Sequence, residues 1–234
     1  TISLEPYLPQ PTRIKARPEF GAVQGFVDYV RLFSAVDRQG CMIFAEPLEP
    51  GVPETRVIGL LDYHCPGKPT WCDHRATLLL ERSDSLTAWL GSNGKWMGQL
   101  SFAEWLQGQT DDVVEPVGIE LLEMVQFLMV NTDVDFLSSQ MLSTGQVQIS
   151  HCERVNVSSQ DSATWPTRLK LSIPVFENHA PQEFAAHLRF RVREKRLELR
   201  FDLHRPNKVM ASAYRGVLDA LGLALGNNII LGKP

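Results

Sequence analysis

Two histidines and two cysteines lie within eleven residues around a Pro-Gly turn, and these are side chains that bind structural zinc. They are His64, Cys65, Cys72 and His74. Their spacing lacks the Cys-x-x-Cys pair of common zinc modules, and the adjacent His64 and Cys65 point to opposite sides of an extended chain. Two interpretations stay open, a metal site formed by these four residues and an ordinary strand–loop–strand, and the spacing favours the second.

The dipeptide Asp73-His74 places a carboxylate beside an imidazole, an arrangement that can tune an imidazole pKa for acid–base chemistry. It suggests a hydrolase site, against the simpler interpretation of a structural hydrogen bond at the start of a strand. Two acidic pairs, Asp111 with Asp112 and Asp133 with Asp135, could bind a metal, but such pairs are more typical of helix starts and turns. The chain has no Gly-x-Ser-x-Gly, P-loop, Gly-x-Gly-x-x-Gly or His-Glu-x-x-His motif. We therefore assign no catalytic residue and no cofactor, and expect a binding protein rather than an enzyme.

Basic residues alternate with apolar ones near the C-terminus, which places the basic side chains on one face of a strand pair and its neighbour. The predicted members of this face are Arg168, Lys170, His187, Arg189, Arg191, Arg193, Arg196 and Arg200. Residues 146–205 carry ten Lys/Arg and seven Asp/Glu, against thirteen and twenty in the rest of the chain. The face would bind an anion such as nucleic acid, a nucleotide or an acidic protein. The alternative is a solvated surface whose charges pair across strands.

Aromatic residues are expected to be missing from this face, because Phe190 and Phe201 alternate onto its opposite side. Sheets that bind nucleic acid usually stack bases on aromatic side chains, so this pattern disfavours nucleic acid. Elsewhere, Trp89 and Trp96 flank the tight-turn sequence Gly91-Ser-Asn-Gly94, where an exposed aromatic would suit an interface.

Alternation of polar and apolar residues also predicts the strands themselves. They span 40–46, 55–63, 73–82, 146–155, 168–173, 187–193 and 196–204. In the pairing of the last two, Leu188 lies opposite Phe201 on the buried side. The expected polar pairs are Arg191 with Glu198 and His187 with Asp202. A one-residue shift would bury the charges, so this register is well determined.

Helical spacing of apolar residues predicts four helices, at 20–35, 101–108, 116–130 and 206–221. The second opens with Ser101-Phe-Ala-Glu104, which has the form of a capping box. Ser83-Asp84 is not expected to start a helix. Together the elements predict an α+β fold, mainly antiparallel sheet with about four packing helices.

The 234 residues are 44% hydrophobic and 21% charged, ordinary values for a globular chain with a sizeable core. The net charge of -4 argues against a protein that coats nucleic acid nonspecifically. No apolar run approaches the roughly 18 residues of a membrane span, and the start is no signal peptide. We expect an extended Pro-rich arm over 1–19, a single domain over 20–234 and no membrane association.

The order of these signals resembles the YfdQ-like family of phage and prophage proteins, which has no known function. The matching pieces are Cys72-Asp-His-Arg-Ala-Thr-Leu78, Leu100-Ser-Phe-Ala-Glu-Trp-Leu106, Phe136-Leu-Ser-Ser139, Thr144-Gly-Gln-Val-Gln148, Ile173-Pro-Val-Phe-Glu177, Arg205-Pro206 and Leu231-Gly-Lys-Pro234. They cover the chain from about Phe20. The resemblance implies a protein made in the cytoplasm of an infected or lysogenic bacterium, and it brings no activity.

Three functional hypotheses follow. The first is an accessory protein that binds a host or phage protein and acts on a host defence, replication or recombination component. The second is a nucleic-acid or nucleotide binder that uses the basic face. The third is a hydrolase with a site near Asp73-His74. A homo-oligomer is compatible with all three.

Overall fold

The computed structural model describes residues 7–34, 40–49, 51–65, 67–127, 140–141, 147–149, 163–193, 196–226 and 229–234. These residues form five α-helices and thirteen β-strands, which build two five-stranded sheets and one three-stranded sheet. The strand pairs are mostly antiparallel, which confirms the α+β class.

The helices and strands follow one another in irregular alternation. The helices are α1 (Val23–Ser34), α2 (Asp84–Ser92), α3 (Gln99–Gln107), α4 (Gly118–Phe127) and α5 (Pro206–Leu225). The strands are β1 (Glu19–Phe20), β2 (Met42–Ala45), β3 (Glu54–Leu60), β4 (Arg75–Glu81), β5 (Met97–Gly98), β6 (Val113–Glu115), β7 (Gln140–Met141), β8 (Val147–Ile149), β9 (Ala163–Trp165), β10 (Arg168–Pro174), β11 (Pro181–Arg193), β12 (Arg196–Leu203) and β13 (Ile229–Leu231). Residues 128–130 of the predicted third helix and most of the predicted strand 146–155 lie outside the described residues.

The chain divides into two compact units, each made of separate stretches of sequence. Unit 1 consists of Thr1–Arg82, Phe176–His179 and Met210–Pro234, and unit 2 of Ser83–Val175 and Ala180–Val209. Such a division does not say whether either unit folds alone, so the single domain over 20–234 stays a prediction.

Unit 1 contains a mixed sheet with the strand order β1-β4-β3-β2-β13. Strand β3 pairs antiparallel with β2 and β4, whereas the outer strands β1 and β13 run parallel to their neighbours. Phe26 and Val30 of α1 pack over Gly59 of β3, where an added Cβ would lie 3.3 Å from the Phe26 ring. Glycine at this position therefore lets the helix approach the sheet closely.

The N-terminal arm of unit 1 follows the edge of β4. The carbonyl oxygens of Ala16 and Pro18 accept hydrogen bonds from the backbone N–H groups of Arg75 and Thr77. These bonds prolong the pairing of β1 with β4, so the end of the arm is fixed to the sheet.

Unit 2 contains an antiparallel sheet with the strand order β5-β12-β11-β10-β6. The pairing of β11 with β12 confirms the predicted register, with Leu188 opposite Phe201. On the inward side, the rings of Trp89 and Trp105 lie 4.9 and 5.0 Å from the Phe201 ring. Helices α2 and α3 thus cover one face of this sheet, and its other face points outward.

Two predictions about helix starts are wrong. Ser83 does cap a helix, because its Oγ accepts a hydrogen bond from the N–H of Leu86 at the start of α2. Helix α3 begins at Gln99 after the cap residue Gly98, so Ser101 lies inside the helix and forms no capping box. Helix α3 starts at this point because Met97 and Gly98 pair with β12 as the short strand β5. This strand ends directly before the helix.

Candidate functional site

The outward face of the sheet in unit 2 carries the basic residues that the sequence predicts there. We call this surface the Arg face, and its members are Arg168, Lys170, His187, Arg189, Arg191, Arg193, Arg196 and Arg200. Their strand neighbours Leu169, Leu188, Leu197 and Leu199 are buried on the other side. The alternation of β10, β11 and β12 therefore positions these side chains together.

Trp96 also lies on the Arg face. Met97 pairs with Leu199 in the sheet, which brings the preceding residue beside Arg200. The guanidinium carbons of Arg191 and Arg200 lie 4.2 and 5.0 Å from the centroid of the indole. The expectation that this face has no aromatic side chain is therefore wrong. Strand β5 has two residues, too few to show an alternation that would have placed Trp96 there.

Ion pairs orient the basic side chains of this face. Arg191 Nε lies 2.5 Å from Glu198 Oε2, as the predicted register requires. His187 lies opposite Asp202, as the same register requires, but the described contacts of the Asp202 carboxylate include none with the imidazole. This carboxylate instead contacts Arg189 Nε at 2.8 Å and Arg200 Nη2 at 2.9 Å. Half-exposed pairs of this kind stabilise little, but they fix where each guanidinium lies.

The charge of the face stays positive after these pairs are counted. Lys170 Nζ lies 3.3 Å from Glu183 and 4.0 Å from Glu115. Among the described residues, the face therefore holds seven Lys/Arg against four carboxylates, Glu115, Glu183, Glu198 and Asp202. Each arginine has five N–H donors, so the pairs leave donors for an external anion.

The loop between β3 and β4 brings together two of the four residues suggested as metal ligands. Cys72 Sγ lies 3.6 Å from His64 Nε2, and the backbone N–H of Thr70 donates to His64 Nδ1 at 3.0 Å. A neutral imidazole that accepts at Nδ1 carries its hydrogen on Nε2. With this tautomer the contact with Cys72 is an N–H···S hydrogen bond.

His74 lies elsewhere, buried between α1 and β4 at 5% exposure. Its Nε2 lies 2.9 Å from the Tyr29 hydroxyl, and the Phe33 ring packs against it. Burial lowers the pKa of His74, and the nearby Asp62 carboxylate partly opposes this. Cys65 is half-buried and pairs through its backbone with Lys68.

No group of three or more His, Cys, Asp or Glu side chains is arranged to hold a metal in the described part of the chain. The four-residue metal site stays a prediction.

The side chains of Asp73 and His74 have separate partners. The Asp73 carboxylate contacts Arg13 Nε at 3.0 Å and Arg17 Nη2 at 3.8 Å, whereas His74 contacts Tyr29. A carboxylate–imidazole pair of the kind a hydrolase uses is therefore not formed here. Instead Asp73 holds the N-terminal arm.

Sequence reasoning gave no role to the contact between this arm and Trp71. The guanidinium carbon of Arg13 lies 4.8 Å from the centroid of the Trp71 ring. The Trp71 side chain is 74% exposed. No other tryptophan among the described residues is as exposed. The sequence signal for this contact was the group of basic residues in the arm, Arg13, Lys15 and Arg17. The prediction for the arm used only its proline content.

A helix long and apolar enough to cross a lipid bilayer does not occur among the described residues. In comparisons with known proteins, the family model "Uncharacterized conserved protein (DUF2303)" matches residues 1–234. No curated protein and no solved structure gives a significant match.

Proposed function

We propose that this chain, which belongs to the uncharacterised conserved family DUF2303, is a non-enzymatic binding protein. Its Arg face docks onto an acidic surface of a partner protein. The proposal is drawn from the geometry of the chain itself. Following the YfdQ-like resemblance, the proposal sets the protein in the cytoplasm of a bacterium that carries a phage or prophage. The partner is then a host component of defence, replication or recombination.

One observation carries this proposal, the stacking of Arg191 and Arg200 on Trp96. A guanidinium over an indole gains about 0.5–2 kcal/mol and is held flat. Held in this way, it loses less conformational entropy when its remaining N–H groups bind a carboxylate. Tryptophan and arginine are also the residues that dominate the binding energy of protein interfaces.

An acidic protein fits this face better than nucleic acid does. Trp96 is half-buried and its ring already carries two guanidinium groups, so little of it is open to stack a base. The carboxylates of Glu198 and Asp202 lie among the arginines and would repel a continuous phosphate backbone. A protein surface with acidic and basic groups can complement both signs.

Nucleic acid is the second candidate, because Trp96 supplies an aromatic residue beside the cations. It would show a steep fall of affinity with salt, since each neutralised phosphate releases counterions. The hydrolase hypothesis receives no support from the separate partners of Asp73 and His74.

Site-specific crosslinking tests the proposal. A photoreactive amino acid at Arg196, an exposed position at the edge of the face, is activated in bacterial cells that carry the phage or prophage. We expect a protein whose crosslinked peptides map to an acidic surface, and we expect Trp96→Ala or Arg191→Glu to remove the product. Arg191→Lys is the matched variant that separates stacking from charge, because it keeps the positive charge but loses the flat stacking on Trp96.

Direct binding separates the two candidates. The probes are a fluorescein-labelled 20-residue polyglutamate peptide and a 20-nucleotide oligo(dT), each at 50 and 200 mM salt. Peptide binding that Trp96→Ala weakens supports the acidic-partner proposal. Oligonucleotide binding with a steep salt dependence and the same sensitivity to Trp96→Ala would favour the second candidate. If neither probe binds and no protein is crosslinked, both candidate functions are refuted.

A further inference from the structure

Trp71 of unit 1 presents one open aromatic face. Its side chain is 74% exposed, although tryptophan is normally among the well-buried residues. Arg13 covers one side of the ring, with its guanidinium carbon 4.8 Å from the centroid. At this exposure the opposite side of the indole is in contact with solvent.

The surroundings hold this indole in place. Arg13 is fixed by its Nε contact of 3.0 Å with the Asp73 carboxylate. The loop that carries Trp71 is fixed by Asp62, whose carboxylate accepts the backbone N–H groups of Asp73 and His74 at 3.0 and 3.1 Å. A preformed aromatic surface loses less entropy when a ligand stacks on it.

The charge around Trp71 is positive. Arg17 and Lys68 occupy exposed positions on the arm and the loop, and the side chain of Arg17 is 62% exposed. Among the described residues, the loop that carries Trp71 has two carboxylates, those of Asp62 and Asp73. Both are already engaged, Asp62 by backbone N–H groups and Asp73 by arginines. The local surface therefore attracts an anion.

We propose that Trp71 is a stacking platform for an unpaired base of single-stranded nucleic acid, with Arg17 and Lys68 contacting the flanking phosphates. An open aromatic face beside exposed cations is the combination that binds single strands without strong sequence preference. An acidic peptide would use the cations but has no flat group that gains from the indole. This site does not rest on the proposed function, which concerns unit 2.

Fluorescence anisotropy with fluorescein-labelled oligo(dT) of 12 nucleotides tests the site on the full chain. Trp71→Ala should weaken binding roughly tenfold or more, and Trp71→Phe should retain part of the affinity. Arg17→Gln with Lys68→Gln should lower the affinity and reduce its dependence on salt. Leu223→Ala is the control, because Leu223 is another exposed apolar residue of unit 1 outside both proposed sites, and it should leave this binding unchanged.

A chain of 12 abasic sugar-phosphate units separates stacking from charge. It should bind the wild type about as weakly as oligo(dT) binds Trp71→Ala. Equal binding of the abasic and dT chains, equal binding of wild type and Trp71→Ala, or no binding of oligo(dT) at low salt would each overturn the proposal. Polyglutamate binding that is lost in Trp71→Ala would assign the surface to an acidic protein instead. Because Trp71 is exposed, its variants should keep the wild-type melting temperature, which circular dichroism checks.

Discussion

At the scale of single residues, Asp112 is a carboxylate buried in unit 2 that accepts the Trp89 indole N–H at 2.9 Å. Burial raises its pKa, and hydrogen bonds from Trp89 and Ser85 partly oppose this. The folded protein therefore holds this proton more tightly than the unfolded chain. The stability gained is full below the unfolded pKa of about 4 and is lost as the pH rises through the raised folded value.

Asp112→Asn keeps an acceptor oxygen without the charge, so we expect unchanged or higher stability at pH 7 and a flatter dependence on pH. Asp112→Ala leaves the buried indole N–H without a partner and should lower the free energy of unfolding by about 1–3 kcal/mol. Urea denaturation at pH 5 and pH 7 measures both. Equal losses in the two variants would show that the hydrogen bond to Trp89 contributes nothing.

The pKa shift of His74 has the opposite direction to that of Asp112. Burial lowers its pKa, and the Asp62 carboxylate partly opposes the shift. The folded state therefore prefers the neutral ring, and its stability is lost as the pH falls from about 6.5 through the lowered folded value. We expect hydrogen exchange in α1 and β4 to accelerate at pH 5 relative to the intrinsic rate, and His74→Gln to remove that acceleration. The same acceleration in the variant would assign it to another group.

Single contacts were predictable from sequence only where a regular pattern fixes them. The pair of Arg191 and Glu198 follows from the hairpin register. The stacking of Arg191 on Trp96, and of Arg13 on Trp71, joins segments far apart in the chain, and no periodicity relates them. The two aromatic contacts on which both proposals rest could therefore be found only in the folded structure.

At the scale of elements, the buried Ser83 stabilises the start of α2 and also bonds to β10. Its Oγ accepts the Leu86 N–H and donates to the Pro174 carbonyl. Ser83→Ala should lower the free energy of unfolding by about 1–2 kcal/mol, because a cap and a buried hydrogen bond are lost together. Ser101→Ala is the matched control and should change little, since Ser101 is exposed inside α3 and is not its cap. Equal effects in urea denaturation would contradict this assignment.

The elements themselves were predictable to different degrees. Strands β10, β11 and β12 alternate strictly, so their presence and the register of β11 with β12 followed from the sequence, although β11 extends back to Pro181. Helix α2 was missed because the sequence after Ser83 has weak helical periodicity, and its tertiary contacts through Trp89 stabilise it instead. Sheet pairing likewise decides where α3 begins.

At the scale of the whole molecule, the sequence predicted the α+β class but not the division into two discontinuous units. Alternation and helical spacing are local signals. The grouping of Phe176–His179 and Met210–Pro234 with Thr1–Arg82 depends on contacts between residues far apart in the chain, such as the hydrogen bond from Glu177 N to the Glu81 carbonyl, and no sequence pattern records them.

Tyr214 closes unit 1 by contacting its two other chain segments. Its hydroxyl donates to the Glu46 carbonyl at 2.6 Å, and its ring packs against Phe176. Burial, with the charge of Glu46, raises the pKa of Tyr214 to about 12. The stability that this group gives is present below the unfolded pKa of about 10 and is lost as the pH rises towards 12.

Tyr214→Phe should therefore lower the free energy of unfolding by about 1 kcal/mol at pH 7, since a buried hydrogen bond is removed. It should also lose less stability than the wild type between pH 10 and 12, because the variant has no hydroxyl to ionise at this position. Urea denaturation followed by circular dichroism at pH 7, 10 and 11.5 measures both effects. Tyr7→Phe is the control, because Tyr7 is 83% exposed and its loss should change neither value. If Tyr214→Phe kept the full alkaline loss, that loss would come from another group, and the closure of unit 1 would depend on its other contacts, such as the pairing of β13 with β2.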